Sequence, residues 1–250
     1  FHVLVERFSM GDGATDLVYK FSSDGGSSWS AVTLVNETDS QISHNYRGHI
    51  KVDSNNYPGV AWAEFGGSSG QDLYFRKATS ATPTTSGNWD ATVTVASDQN
   101  NGTGDIGFDF FKSGSYTDWP MIVTCQDADN DGAGSDGAHA TAAYIWDYGT
   151  TADPGNVSEQ ASSYSCFSAD VAIAANNNVY VVSVNESDSI DNNSGDINGV
   201  QYDTYDGGSS WTNDNPIASN AVDYSSSNHR AHIDVEVPPA ENTSATLVVG

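Results

Sequence analysis

Apolar and polar residues alternate along this chain in short runs. VLVERF (3–8), GVAWAEF (59–65), PMIVTCQ (120–126) and VYVVSVNE (179–186) form one set. Each is followed, after a loop rich in Gly, Ser and Asp, by an aromatic run: DLVYKF (16–21), DLYFRKAT (72–79), HATAAYIWDY (139–148) and INGVQYDTY (197–205). A two-residue period of this kind predicts half-buried strands. A third set comes earlier in the order: HIKVD (49–53), DIGFDFF (105–111), DVAIAA (170–175) and HIDVEV (232–237). A fourth closes it with WSAVTLV (29–35), WDATVTVA (89–96) and WTNDNPIA (211–218).

Tyr19, Tyr74, Tyr144 and Tyr202 mark the same place in successive units, 55, 70 and 58 residues apart. The unit is four antiparallel strands, A-B-C-D, repeated at a period near 60. Units of that length and order predict an all-β protein, a β-propeller of four-stranded antiparallel blades. A pair of β-sandwiches would not repeat one turn at a fixed phase. Residues 1–250 then form a single propeller: a partial blade at 1–40, blades at 45–98, 103–160 and 165–220, and a partial blade at 228–250. Four to five blades are visible. The chain enters at strand B of one blade and stops near strand B of the fifth, so it is expected to continue past Gly250 in a six- or seven-bladed ring.

Composition narrows the function classes. Eight Lys and Arg stand against 33 Asp and Glu, a formal net charge of −25. Nothing in such a chain neutralises a run of phosphates, which excludes nucleic acid and disfavours an anionic membrane. No apolar run approaches the length of a spanning helix, so no membrane insertion is expected. An acidic, lysine-poor surface fits an extracellular or cell-surface setting. Cys125 and Cys166 are the only two cysteines, and either a disulfide or two free thiols fits such a setting.

One acidic stretch occurs twice. SSDGGSSWS (22–30) and TYDGGSSWT (204–212) share an Asp-Gly-Gly-Ser-Ser-Trp core, and TPTTSGNW (82–89) keeps the Trp but has Thr84 in place of the Asp. Ser22, Asp24, Gly26, Trp29 and Thr204, Asp206, Gly208, Trp211 resemble the Asp-box of the sialidase/neuraminidase superfamily, the BNR-repeat β-propellers. The residue chemistry points to a fold staple on the C–D hairpin. Asp accepts turn N–H groups, Gly supplies a positive φ, and Trp is expected to fold back under the turn.

Function is then expected on the opposite face, where the B–C loops and D–A crossovers lie. Strand A begins with a repeated signature, Asn45-Tyr46-Arg47-Gly48-His49-Ile50 and Asn228-His229-Arg230-Ala231-His232-Ile233, with Thr103 and Ser168 taken as the equivalents of Arg47. Strand B ends in an acid at Glu6, Glu64 and Glu186, among only seven glutamates. Arg47, His49, Glu64, Glu186, Arg230 and His232 are therefore the candidate binding residues, with Arg47 expected to approach Glu64. They form either hairpin-fixing ion pairs or the rim of a glycan pocket.

The resemblance implies an arginine cluster holding a substrate carboxylate, a Tyr–Glu nucleophile and an acidic Asp. Arg47, Arg230 and Arg7 fit the first, but the family's Arg-Ile-Pro motif is absent and the other groups match no motif here. In the B–C loop of the third unit, Asp127, Asp129 and Asp131 alternate before Gly132, with Asp136 to complete a shell. The pattern is the first half of a Ca²⁺ loop; a solvated acidic loop is the alternative. The sequence thus points to a secreted or surface propeller that binds a glycan or a surface protein. The alternative is a sialidase-like glycosidase acting on acidic sugars, completed outside these residues.

Overall fold

A computed structural model describes residues 1–8, 15–31, 33–35, 47–65, 71–99, 106–127, 139–146, 151–152, 156–158, 164–187, 195–205, 211–224, 233–236 and 246–249. Two compact units divide the chain, residues 1–99 and 100–250. In the first, β1 (His2–Phe8), β2 (Thr15–Phe21) and β3 (Thr33–Leu34) pair in that order. Beside them β4 (Arg47–Val52), β5 (Pro58–Phe65), β6 (Gln71–Lys77) and β7 (Val93–Gln99) form a four-stranded sheet.

In the second unit, β8 (Ile106–Phe110), β9 (Pro120–Asp127) and β10 (His139–Trp146) form a sheet extended by the short β11 (Thr151–Ala152) and β12 (Asn156–Ser158). A four-stranded sheet follows: β13 (Tyr164–Ile173), β14 (Val179–Ser187), β15 (Gly195–Tyr205) and β16 (Trp211–Tyr224). The last sheet pairs β17 (Ile233–Glu236) with β18 (Thr246–Val249). Among the described residues every pairing is antiparallel, and all join strands consecutive in the chain except that of β10 with β12. These meandering sheets are blades of a β-propeller.

The strands bury more than a half-buried pattern predicts. In β5, the consecutive residues Val60, Ala61, Trp62 and Ala63 are all buried, and so is every residue of β8. Both faces of these strands are covered, as stacked sheets require. Leu17, Tyr19 and Val35 of the first sheet pack on Val60, Trp62, Ala78 and Trp89 of the second. Within the second unit, Phe111, Met121 and Val123 pack on Ala169, Val171, Ile173, Val179 and Val181. Each fully buried side chain of this size contributes about 1.5–3 kcal/mol.

Close approach is set by glycine at two places. A Cβ at Gly48 would lie 2.7 Å from Leu4 and 2.9 Å from Leu17. At Gly107 it would lie 2.2 Å from Oδ1 of Asp170 and 2.6 Å from that residue's Cα. Among the described residues, the large apolar side chains left exposed are Phe1, Val3 and Val5 on the β1 side, Trp29 beyond β2, and Val52 at the end of β4.

Polar groups lock the sheets together within each unit. Buried Arg76 donates from Nε to the Asp90 carbonyl (2.6 Å), from Nη1 to the Val35 carbonyl (2.6 Å) and from Nη2 to the Ser86 carbonyl (3.4 Å). It ties the end of the first sheet to the second. Asp109 accepts the Phe110 and Ile173 N–H groups and pairs with Lys112 Nζ at 2.7 Å, bridging β8 to β13.

The A–B turns repeat one geometry. Asp53 N–H bonds the Tyr57 carbonyl and Asn56 N–H the Asp53 carbonyl. The same pair joins Ala174 to Asn178 and Asn177 to Ala174, and also Phe111 to Trp119 and Asp118 to Phe111. The penultimate residue is left-handed each time, Asn56 (φ 60°), Asp118 (φ 67°) and Asn177 (φ 66°), the residue types that tolerate αL. This alignment matches positions 53, 111 and 174. Six residues before these positions stand Arg47, residue 105 and Ser168; residue 105, like Thr103, lies outside the described residues.

Candidate functional site

In the second sheet the A–B turn and the C–D hairpin lie at one end, the turn end, and the start of strand A and the end of strand B at the other, the loop end; the same names are used for the other sheets. At the turn end of the first sheet the Ser22–Ser30 hairpin is closed by its own side chains. Ser22 Oγ donates to Asp24 Oδ1 (2.8 Å) and accepts the Gly26 N–H (2.8 Å). Asp24 Oδ1 accepts the Ser28 N–H (2.8 Å), and Oδ2 accepts the Ser28 hydroxyl (2.6 Å). Gly25 and Gly26 take φ of 73° and 91°. The Ser28 hydroxyl and amide, then Ser22, hold the Asp24 carboxyl down at about 2. A carboxylate so fully engaged by its own turn has little left to offer a substrate.

Trp29 lies against this turn, where a Cβ at Gly26 would meet its Cζ2 at 3.8 Å, yet it remains 43% exposed. The equivalent Trp89 is 5% exposed and meets Tyr19 edge-to-face at 5.1 Å. There Asn88 supplies the acceptor that Thr84 lacks, its Oδ1 taking the N–H groups of Thr84 (3.1 Å) and Thr85 (3.2 Å). Of the second acidic copy, Thr204, next to last in β15, lies opposite Thr212, and Trp211 opens β16 opposite Tyr205; Asp206 and Gly208 lie outside the described residues.

At the loop end of the second sheet, Arg47 opens β4 opposite Ala63, and partly buried His49 lies opposite Ala61. Glu64 pairs in register with Asp72, the second residue of β6. Arg47 and Glu64 are thus one step out of register across the hairpin. Asp72 Oδ2 accepts the Tyr74 hydroxyl (3.0 Å), and Tyr74 stacks on buried Trp62 at 5.5 Å. Asp72 escaped the sequence reading, although the shared Asp-Leu opening of β2 and β6 carries the signal: Asp16 sits opposite Arg7 in the first sheet.

In the fourth sheet Glu186 is opposite Ser165 on β13 and Ile197 on β15. Arg230 and His232 lie outside the described residues. Asp127 ends β9 opposite His139, while Asp129, Asp131 and Asp136 lie outside them. Among the described residues no three His, Cys, Asp or Glu side chains cluster as a metal would require.

No family model matches the chain, and no curated protein does. Solved structures do match. An α-L-arabinanase of Penicillium chrysogenum, complexed with arabinobiose, is 12% identical with a TM-score of 0.59, over 100% of this chain and 71% of that one. An α-L-arabinofuranosidase of Fusarium graminearum, a mutant in complex with an iminosugar inhibitor, is 13% identical with a TM-score of 0.53, over 94% of this chain and 66% of that one. This chain therefore spans about two thirds of the length of the proteins whose fold it shares.

Proposed function

We propose that this chain is part of an extracellular or cell-surface Asp-box β-propeller that recognises carbohydrate at the loop ends of its sheets. The observation that carries the reading is the fold shared over the whole chain with an arabinanase. At these identities the likeness speaks for the fold, and the sugar chemistry is our extension of it. The residues that would bind are Arg47 and His49 at the start of β4, Glu64 with Asp72 across from it, Glu186, and Arg230 with His232 in the repeated signature. Arg and His donate to sugar hydroxyls, and carboxylates accept from them. A glycan array tests this: the chain should bind a defined set of glycans, and Arg47→Ala with Arg230→Ala should weaken binding about tenfold or more. Unchanged binding by that double variant sinks the assignment.

A hydrolase is the second reading, favoured by the register that sets Glu64 opposite Asp72. Two carboxyl residues facing across a strand pair are the raw material of an acid and a nucleophile or base. Aryl-arabinofuranoside and aryl-sialoside turnover, lost in Glu64→Gln and Asp72→Asn, would establish it; no turnover by the wild-type chain counts against it. The Asp127, Asp129, Asp131 and Asp136 loop is proposed to hold Ca²⁺ through alternating carboxylate oxygens. A melting temperature unmoved by EDTA would contradict that.

A further inference from the structure

We infer that the A–B turn Phe111–Trp119 is a second carbohydrate site, one that takes a neutral sugar ring against Tyr116 and Trp119. The ligand class rests on the carbohydrate reading above, whereas the location does not. This turn lies at the end of the third sheet opposite to Asp127.

The fold does not need its length. Asp53–Tyr57 and Ala174–Asn178 make the same two-bond closure in five residues, whereas Phe111–Trp119 takes nine. The extra residues are nevertheless rigidly held. A single 3₁₀ turn spans Gly114–Tyr116, Thr117 donates its N–H and its hydroxyl to the Gly114 carbonyl, and Trp119 N–H bonds the Tyr116 carbonyl. The neighbouring sheet clamps the turn from outside. Asn177 Oδ1 accepts the Lys112 and Ser113 N–H groups (3.0 Å each), and its amide donates to the Ser113 carbonyl. Left-handed Gly114 sits close under that amide.

A rigid insertion presenting aromatic rings is how a protein pre-organises a contact surface at low entropic cost. Tyr116 and Trp119 meet edge-to-face at 5.1 Å and lean on the core cluster, yet both keep part of their surface in water. Exposed Ser115 borders them with its hydroxyl, while that of exposed Ser113 donates to the Ala175 carbonyl (3.3 Å). The turn's own cation, Lys112, is paired with Asp109, so it offers no positive centre to an anionic sugar, and the chain's −25 charge repels one. Aromatic faces with neutral hydroxyls fit the C–H faces and hydroxyl groups of an uncharged pyranose or furanose.

Affinity electrophoresis of the whole chain decides this, in gels containing arabinan, arabinoxylan or β-glucan, with alginate as the anionic probe. Wild type and Tyr116→Phe should be retarded in at least one neutral gel and not by alginate. Tyr116→Ala should lose about tenfold in affinity. Deletion of residues 113–116, which restores a five-residue turn, should lose the same, with a melting transition like wild type for at least one of the two. Wild-type retardation by Tyr116→Ala and the deletion overturns the inference, as does stronger retardation in alginate than in any neutral gel. If those two variants bind as wild type while Arg47→Ala with Arg230→Ala does not, this site fails and the loop-end reading stands; the reverse pattern removes the loop-end reading alone. No retardation of wild type in any gel rejects both.

Discussion

Individual residues carry the sharpest commitments. Asp24 is held below its ordinary 3.8, at about 2, by hydrogen bonds from Ser28 and Ser22. A carboxyl with a lowered folded pKa adds stability that is whole above about pH 4 and vanishes as pH falls through about 2. Thermal melts of wild type and Asp24→Asn should therefore differ most near neutrality and converge toward pH 2. A gap independent of pH would contradict the assignment. Arg76, on β6, is buried among carbonyls. Arg76→Met should cost about 2–4 kcal/mol in a denaturant titration, because acceptors in the Val35 and Asp90 carbonyls lose their donor. Gly107→Ala should cost about 1–3 kcal/mol, since its methyl group would enter the Asp170 backbone and carboxylate.

At the scale of elements, strand order was legible because alternation and turn residues repeat together. What misled was burial: β5 and β8 are covered on both faces, and alternation speaks only of one. The intact acidic turn exposes its Trp29, whereas the decayed one buries Trp89. A motif fixes its own hairpin, and what lies against the Trp depends on the neighbouring sheet. The repeated A–B turn went unread because its signature is a single left-handed Asn or Asp among many. Asn56→Ala should cost about 1 kcal/mol and Asn56→Gly nearly nothing, as chemical denaturation would measure, if the left-handed φ is what Asn56 provides. Asn177→Gly keeps that freedom but removes the clamp on Ser113, and should cost about 1–2 kcal/mol.

For the whole molecule, the β-propeller was readable from period and strand count, and the likeness to the arabinanase and the arabinofuranosidase supports the same fold. The candidate site was legible only in part. The sequence marked Arg47, His49 and Glu64 by recurrence; register adds that Glu64 stands opposite Asp72 on the β6 side, while on the β4 side Arg47 stands opposite the adjoining Ala63. Hairpin register is set by turn geometry and the packed face together, and neither is visible one strand at a time. The central claim is that carbohydrate binds at the loop ends. Amide hydrogen exchange, with and without a saturating oligosaccharide from the glycan array, tests it most directly. Slowed exchange is predicted at residues 45–49 and 64–72, with the 22–30 hairpin unchanged. Protection at 22–30 with none at 45–49 or 64–72 would contradict it.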